Sequence, residues 1–144
     1  MNNKQTTIKD SVSLEGVGIH TGKDVKLTFH PAKENTGYIF KRVDLDDKPE
    51  IEALAKYVVN TQRGTTLEKD GVKLKTTEHV LAALVGLEID NILIEINAEE
   101  PPIMDGSSKF FVNALEKAGL KELSSLRKEY IVKDVISFND PDSG

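Results

Sequence analysis

Glu78 and His79 stand side by side where an apolar helical run, Val80 to Gly86, begins. A carboxylate next to an imidazole is a pairing that zinc hydrolases use to hold a metal and to take a proton from its water. His79 is the last of three histidines, after His20 and His30, and there is no cysteine, so the donor set is short for a whole metal centre. On a helix the two side chains lie about 100° apart, close enough to reach one metal and its water. The zincin pattern needs a second His four residues on, where this chain has Ala83, so it is not a zincin. His79 shares its stripe with Ala82, Ala83 and Gly86, small residues that let another element approach closely. Spacing alone leaves a plainer alternative open, in which Glu78 is a first-turn carboxylate facing the helix dipole and His79 a structurally bonded polar residue.

Other constellations carry less chemistry. Gly16, Gly18 and Gly22 imitate a phosphate loop, but a dinucleotide fingerprint needs glycine at Thr21 and a helix after it, where the pattern reads as strand. His20 at that turn is either an exposed turn residue or the lip of a binding site. Asp105 to Ser108 look like a nucleophile loop, yet no histidine follows to act as base, and a turn with a helix cap accounts for them. Arg63, Gly64, Thr65 and Thr66 fit either contact with an anionic ligand or a plain loop leading into a hairpin.

The composition narrows the classes. A chain of 144 residues suits one domain with a sizeable core. Its net charge of −5, with lysines dispersed among acidic residues, excludes a generic nucleic-acid binder, which needs clustered cations. No apolar run approaches the ~20 residues of a membrane span. The opening MNNKQTTI lacks the apolar core of a secretory signal, and a cytoplasmic location is expected.

Several elements must position these residues. Val12 and Leu14 alternate in one phase and Val17 and Ile19 in the other, which predicts a bulge near Glu15 and Gly16. His20 to Lys23 then close a hairpin onto a strand bearing Val25, Leu27 and Phe29. Tyr38 and Phe40 mark a short strand, and Asp70-Gly71 turns a second hairpin between Leu67 and Val72. Ile51 to Val59 reads as another strand, favoured by Tyr57, Val58 and Val59, although Ile51, Leu54, Ala55 and Val58 fit a helical face nearly as well. Thr76 or Thr77 caps a helix with Val80, Leu81, Leu84 and Val85 on one face, ended by Gly86. Asn91 to Asn97 reads as a buried strand. Ser107 caps a second helix carrying Phe110, Phe111, Ala114, Leu115 and Ala118, stopped by Gly119, and Tyr130 to Phe138 reads as a last strand. Strands with two amphipathic helices predict an α+β domain, a two-layer sandwich of a mostly antiparallel sheet and two helices.

Four stretches, GVGIHTG (Gly16 to Gly22), NTGYIFKRVD (Asn35 to Asp44), TTEHVLAALVGLEIDNILIEIN (Thr76 to Asn97) and PPIMDGSSKFFVNAL (Pro101 to Leu115), closely resemble the N-terminal half of the UDP-3-O-acyl-N-acetylglucosamine deacetylases. These are the zinc enzymes of the committed step of lipid A synthesis. The resemblance implies that Glu78 is the general base and His79 a zinc ligand. It implies a ribosomal protein S5 domain 2-like topology paired with a second domain of similar fold, and a site between the two. The other ligands, a His and an Asp four apart on a helix, with a Lys, an oxyanion-binding Thr and an acid His, would come from that second domain. By resemblance, residues 1–126 are the N-terminal deacetylase domain, and 127–144 are the first strand of the truncated second domain with its tail. Ile19, His20, Arg63, Gly64 and Thr65 should border the cleft for a UDP-sugar lipid substrate, with Arg63 facing a phosphate. The chain alone is expected to be catalytically incomplete, and its exposed inter-domain face to self-associate. Some members of the family are fused to a dehydratase. The competing expectation is a non-catalytic binding or assembly domain of the same fold.

Overall fold

The computed structural model describes residues 3–141. Ten strands and two helices follow in the order β1 (Lys4–Ile8), β2 (Val12–Val17), β3 (Asp24–Pro31), β4 (Tyr38–Arg42), β5 (Glu50–Glu52), β6 (Val58–Asn60), β7 (Thr66–Lys69), β8 (Val72–Leu74), α1 (Glu78–Gly86), β9 (Ile92–Ile96), α2 (Lys109–Ala118) and β10 (Leu120–Leu126). The chain is thus α+β. Its main sheet has five strands in the order β2-β3-β9-β4-β5, flanked by a three-stranded sheet β6-β7-β8 and a ribbon β1-β10. The pairing is antiparallel except between β4 and β9, where Tyr38 to Arg42 run parallel to Ile92 to Ile96.

Alternation along β3 and β9 builds the core. Val25, Leu27 and Phe29 of β3 and Ile92, Ile94 and Ile96 of β9 turn one way and are buried with Phe40 and Ile51. Val80 and Leu84 of α1 and Phe111 and Leu115 of α2 close over them in the same cluster, so the helices form a second layer on that face. Phe29 and Phe111 meet edge to face, ring centroids 6.4 Å apart and planes at 88°. The opposite face carries Ser13, Thr28 and Glu95 in register, with a 2.8 Å hydroxyl pair between Ser13 and Thr28. No helix among the described residues is long and apolar enough to cross a membrane.

The hairpins form where expected. Gly18 N–H donates to Lys23 O at 3.0 Å to close the first, and Asp70 and Gly71, at φ of 51° and 80°, turn the second. The bulge near Glu15 does not form, because Val12 to Val17 pair with Asp24 to Phe29 without a register shift. Val17 and Ile19 instead lie outside the core, 45% and 58% exposed. The strand expected from Ile51 to Val59 is interrupted by a single 3-10 turn at Ala55–Tyr57, which separates β5 from β6. Thr77 takes the N-cap position of α1, but its hydroxyl donates to Thr65 O at 3.2 Å and makes no cap bond. Ser108 holds the N-cap position of α2, while Ser107 Oγ accepts the Lys109 N–H at 3.2 Å. Gly119, at φ 71°, ends that helix and lets β10 return to β1, a ribbon the alternation does not reveal. Tyr130 to Phe138 pair with no strand among the described residues, and Tyr130, Val135 and Phe138 are at least 90% exposed.

Candidate active site

The candidate site is built at the first turn of α1. Thr76 leaves β8 in a left-handed conformation, φ 53°, which β-branched residues seldom adopt. Thr77 N–H then donates to Thr65 O at 3.2 Å, and Thr65 N–H donates in return to Glu78 Oε2 at 2.8 Å. The loop before β7 therefore grips the helix start and one oxygen of its carboxylate. Oε1 of Glu78 lies 3.9 Å from Nε2 of His79, and both side chains are about one-third exposed, 36% and 29%. Gly64 sits behind this carboxylate at φ 152°, and a Cβ there would stand 3.5 Å from Glu78 Oε1.

A second cluster lies beside the first. Glu100 is fully buried and takes four bonds at its two oxygens. Oε2 accepts the N–H groups of His20 and Thr21 at 3.0 and 3.1 Å. Oε1 lies 2.6 Å from His20 Nδ1 and accepts the Thr76 hydroxyl at 2.8 Å. Burial alone would raise its pKa, but the bonds from His20, Thr76 and the two N–H groups outweigh that and hold it below the usual carboxylate range. His20, Arg63, Gly64, Lys75 and Thr76 line a cavity of about 240 Å³ between the two clusters.

His20, Arg63 and Gly64 thus share one cavity, with Thr65 bonded to Glu78 at its edge. Ile19 is beside His20 in the chain, but its side chain does not line that cavity. His30 is elsewhere, on the open face of the sheet, bonded to Ser11 at 2.8 Å and Glu95 at 3.2 Å. Asp105 is held in its own turn by Ser107, whose hydroxyl and N–H bond its Oδ1 at 2.7 and 3.0 Å. Sequence reasoning missed Glu100 and the polar role of Thr76. In the run Ala98 to Pro102 a glutamate reads as loop charge, and only the fold brings it under the His20 turn.

Among the described residues no three His, Cys, Asp or Glu side chains gather where they could hold a metal ion. His79 is a competent imidazole donor with a carboxylate beside it, which suits one ligand position and a proton acceptor but not a complete set. Val85 on α1 and Phe110 on α2 are 65% and 43% exposed, so the helical layer presents some apolar surface.

The family model described as UDP-3-O-acyl N-acetylglycosamine deacetylase (LpxC) matches residues 5–143. The chain is 49% identical over 98% of its length to a bifunctional LpxC/FabZ enzyme of Bacteroides thetaiotaomicron, covering 31% of that protein. It is 49% identical over 96% of its length to the enzyme of the same name from Chlorobaculum tepidum, covering 30% of it. It is 46% identical over 96% of its length to a UDP-3-O-acyl-N-acetylglucosamine deacetylase of Idiomarina loihiensis, covering 46% of it. The chain therefore spans between about a third and half the length of these relatives. On the match from residue 5 to residue 143, the chain belongs to the UDP-3-O-acyl N-acetylglycosamine deacetylase (LpxC) family.

Proposed function

We propose that this chain is the base-bearing part of a zinc-dependent deacetylase that removes acetate from UDP-3-O-(3-hydroxyacyl)-N-acetylglucosamine in lipid A biosynthesis. The observation that carries this reading is the Glu78 carboxylate, anchored by the Thr65 N–H at one oxygen and facing His79 with the other. His79 would hold zinc together with ligands from outside this chain, and bound zinc supplies Lewis acidity to a water and to the acetamide carbonyl.

Glu78 Oε1 is the oxygen left to accept the proton of the attacking water. Its partner Oε2 stays fixed by the backbone, so the base keeps its direction as it gains the proton. Water adds to the carbonyl carbon, the C–N bond breaks, and acetate and a free amine leave once the nitrogen has gained a proton. Ile19, His20, Arg63, Gly64 and Thr65 border the substrate, and the Arg63 guanidinium is suited to a phosphate of the UDP group.

The same proposal gives the chain a ribosomal protein S5 domain 2-like topology over 1–126, has 127–144 open a second domain, and puts the reaction in the cytoplasm. Its support is the family membership and the share of the relatives that the chain spans. Measured acetate release by the full-length protein tests it. Glu78→Gln should lower turnover by roughly 10² to 10⁴, and the 144-residue chain alone should release no acetate. A Glu78→Gln enzyme at wild-type turnover would remove the base from Glu78 and favour a non-catalytic assembly domain.

A further inference from the structure

Glu100 does more than fill a buried position. A carboxylate with no exposed surface is costly unless it is fully bonded, and this one is met from two separate parts of the chain. The His20 and Thr21 N–H groups come from the β2-β3 turn, and the Thr76 hydroxyl comes from the residue that leads into α1. Lys75 N–H also donates to Glu99 O at 2.8 Å, so the backbone on either side of the contact is tied as well. Gly18 completes the fit, because a Cβ there would fall 2.7 Å from Glu100 Oε2 and 2.4 Å from Thr21 Oγ1. The left-handed conformation of Thr76 is what aims its hydroxyl at Glu100 two residues before Glu78.

The bond to His20 fixes a chemical state. Nδ1 lies 2.6 Å from Glu100 Oε1, and imidazole is a stronger base than a carboxylate, so the shared proton stays on Nδ1. Free neutral imidazole side chains favour the other tautomer, and the buried acceptor reverses that preference. Nε2 has no hydrogen-bond partner among the described residues, and the half-exposed ring lines the cavity with Arg63 and Gly64. We propose that Glu100 is a positioning residue of this site: it locks His20 as the Nδ1–H tautomer, offers Nε2 to the substrate as an acceptor, and ties the His20 turn to the start of α1. The tautomer is a property of this chain alone, and its effect on turnover rests on the deacetylase reading.

Two measurements test it. Long-range 1H–15N NMR of the chain, on the alkaline side of the ring titration, should show His20 with a protonated Nδ1 and a bare Nε2. Glu100→Gln should lose that pattern, whereas Thr76→Val, which keeps the carboxylate, should retain it. A wild-type His20 found as the Nε2–H tautomer overturns the proposal without any variant. In the full-length enzyme Glu100→Gln should lower kcat/KM on the order of 10- to 100-fold, with zinc content unchanged. Wild-type kcat/KM in that variant would also overturn it. A full-length wild-type protein that deacetylates nothing, alongside the expected His20 spectrum, would sink the deacetylase reading and leave the tautomer lock standing.

Discussion

Thr65 holds Glu78 from the loop behind it: the Thr65 N–H donates to Glu78 Oε2 at 2.8 Å, while Thr65 O receives the N–H of the neighbouring Thr77 at 3.2 Å. A base held in this way depends on the loop behind it. Gly64, at φ 152°, lies 3.5 Å from Glu78 Oε1 by its missing Cβ, in a backbone region that side chains avoid. Gly64→Ala should destabilise the chain by about 1–3 kcal/mol in urea denaturation. In the full-length enzyme it should reduce kcat more than it changes KM, because the base is displaced while the remaining substrate contacts persist.

Acid should loosen the site through Glu100. Its folded-state pKa lies below the ordinary value of 4.5, so the folded state binds this proton less readily than the unfolded chain does. The stabilisation is complete above about pH 4.5 and is lost as pH falls through the lower, folded value. Glu100→Gln should therefore give a shallower acid limb in a plot of stability against pH. An unchanged acid limb would assign the pH dependence to other carboxylates.

Arg42, with its partner Asp44, ties β4 of the main sheet to β8. Arg42 is 8% exposed, grips Asp44 through Nε at 2.8 Å and Nη2 at 2.7 Å, and donates Nη1 to Lys73 O on β8 at 2.8 Å. The Arg42 hydrogen bond is the largest cause holding the Asp44 pKa below the usual range. Asp44→Ala leaves a buried guanidinium without its anion and should cost about 1–3 kcal/mol by chemical denaturation.

Phe111 seats α2 on the sheet against Phe29, with no surface exposed. Phe111→Ala should cost about 3–5 kcal/mol and lower the melting temperature sharply. Phe110, the next residue round the helix, is 43% exposed, and its replacement by Ser should leave the stability of this chain nearly unchanged.

Those elements with strong local patterning were legible in the sequence. Ile92, Ile94 and Ile96 announce β9, Asp70-Gly71 announces the turn between β7 and β8, and Phe111, Ala114, Leu115 and Ala118 of the α2 stripe are buried as expected, while Phe110 of the same stripe is 43% exposed. The β1-β10 ribbon was not, because Leu120 to Leu126 is largely exposed and its pairing with Lys4 to Ile8 bridges almost the whole chain. Val17 and Ile19 led to a bulge that does not exist, since apolar residues outside the core imitate a change of phase. Glu78, His79, His20, Arg63, Gly64 and Thr65 were all singled out from type and spacing with the help of resemblance. Glu100 was not, because its partners at His20 and Thr76 are 80 and 24 residues away.

The measurement that most directly tests the account is zinc titration calorimetry on the 144-residue chain, with His79→Ala as control. Weak binding that disappears with His79 is expected, as for a site awaiting ligands from another segment. Tight one-to-one binding would mean that this chain completes its own metal centre, and would contradict the division of the site proposed here.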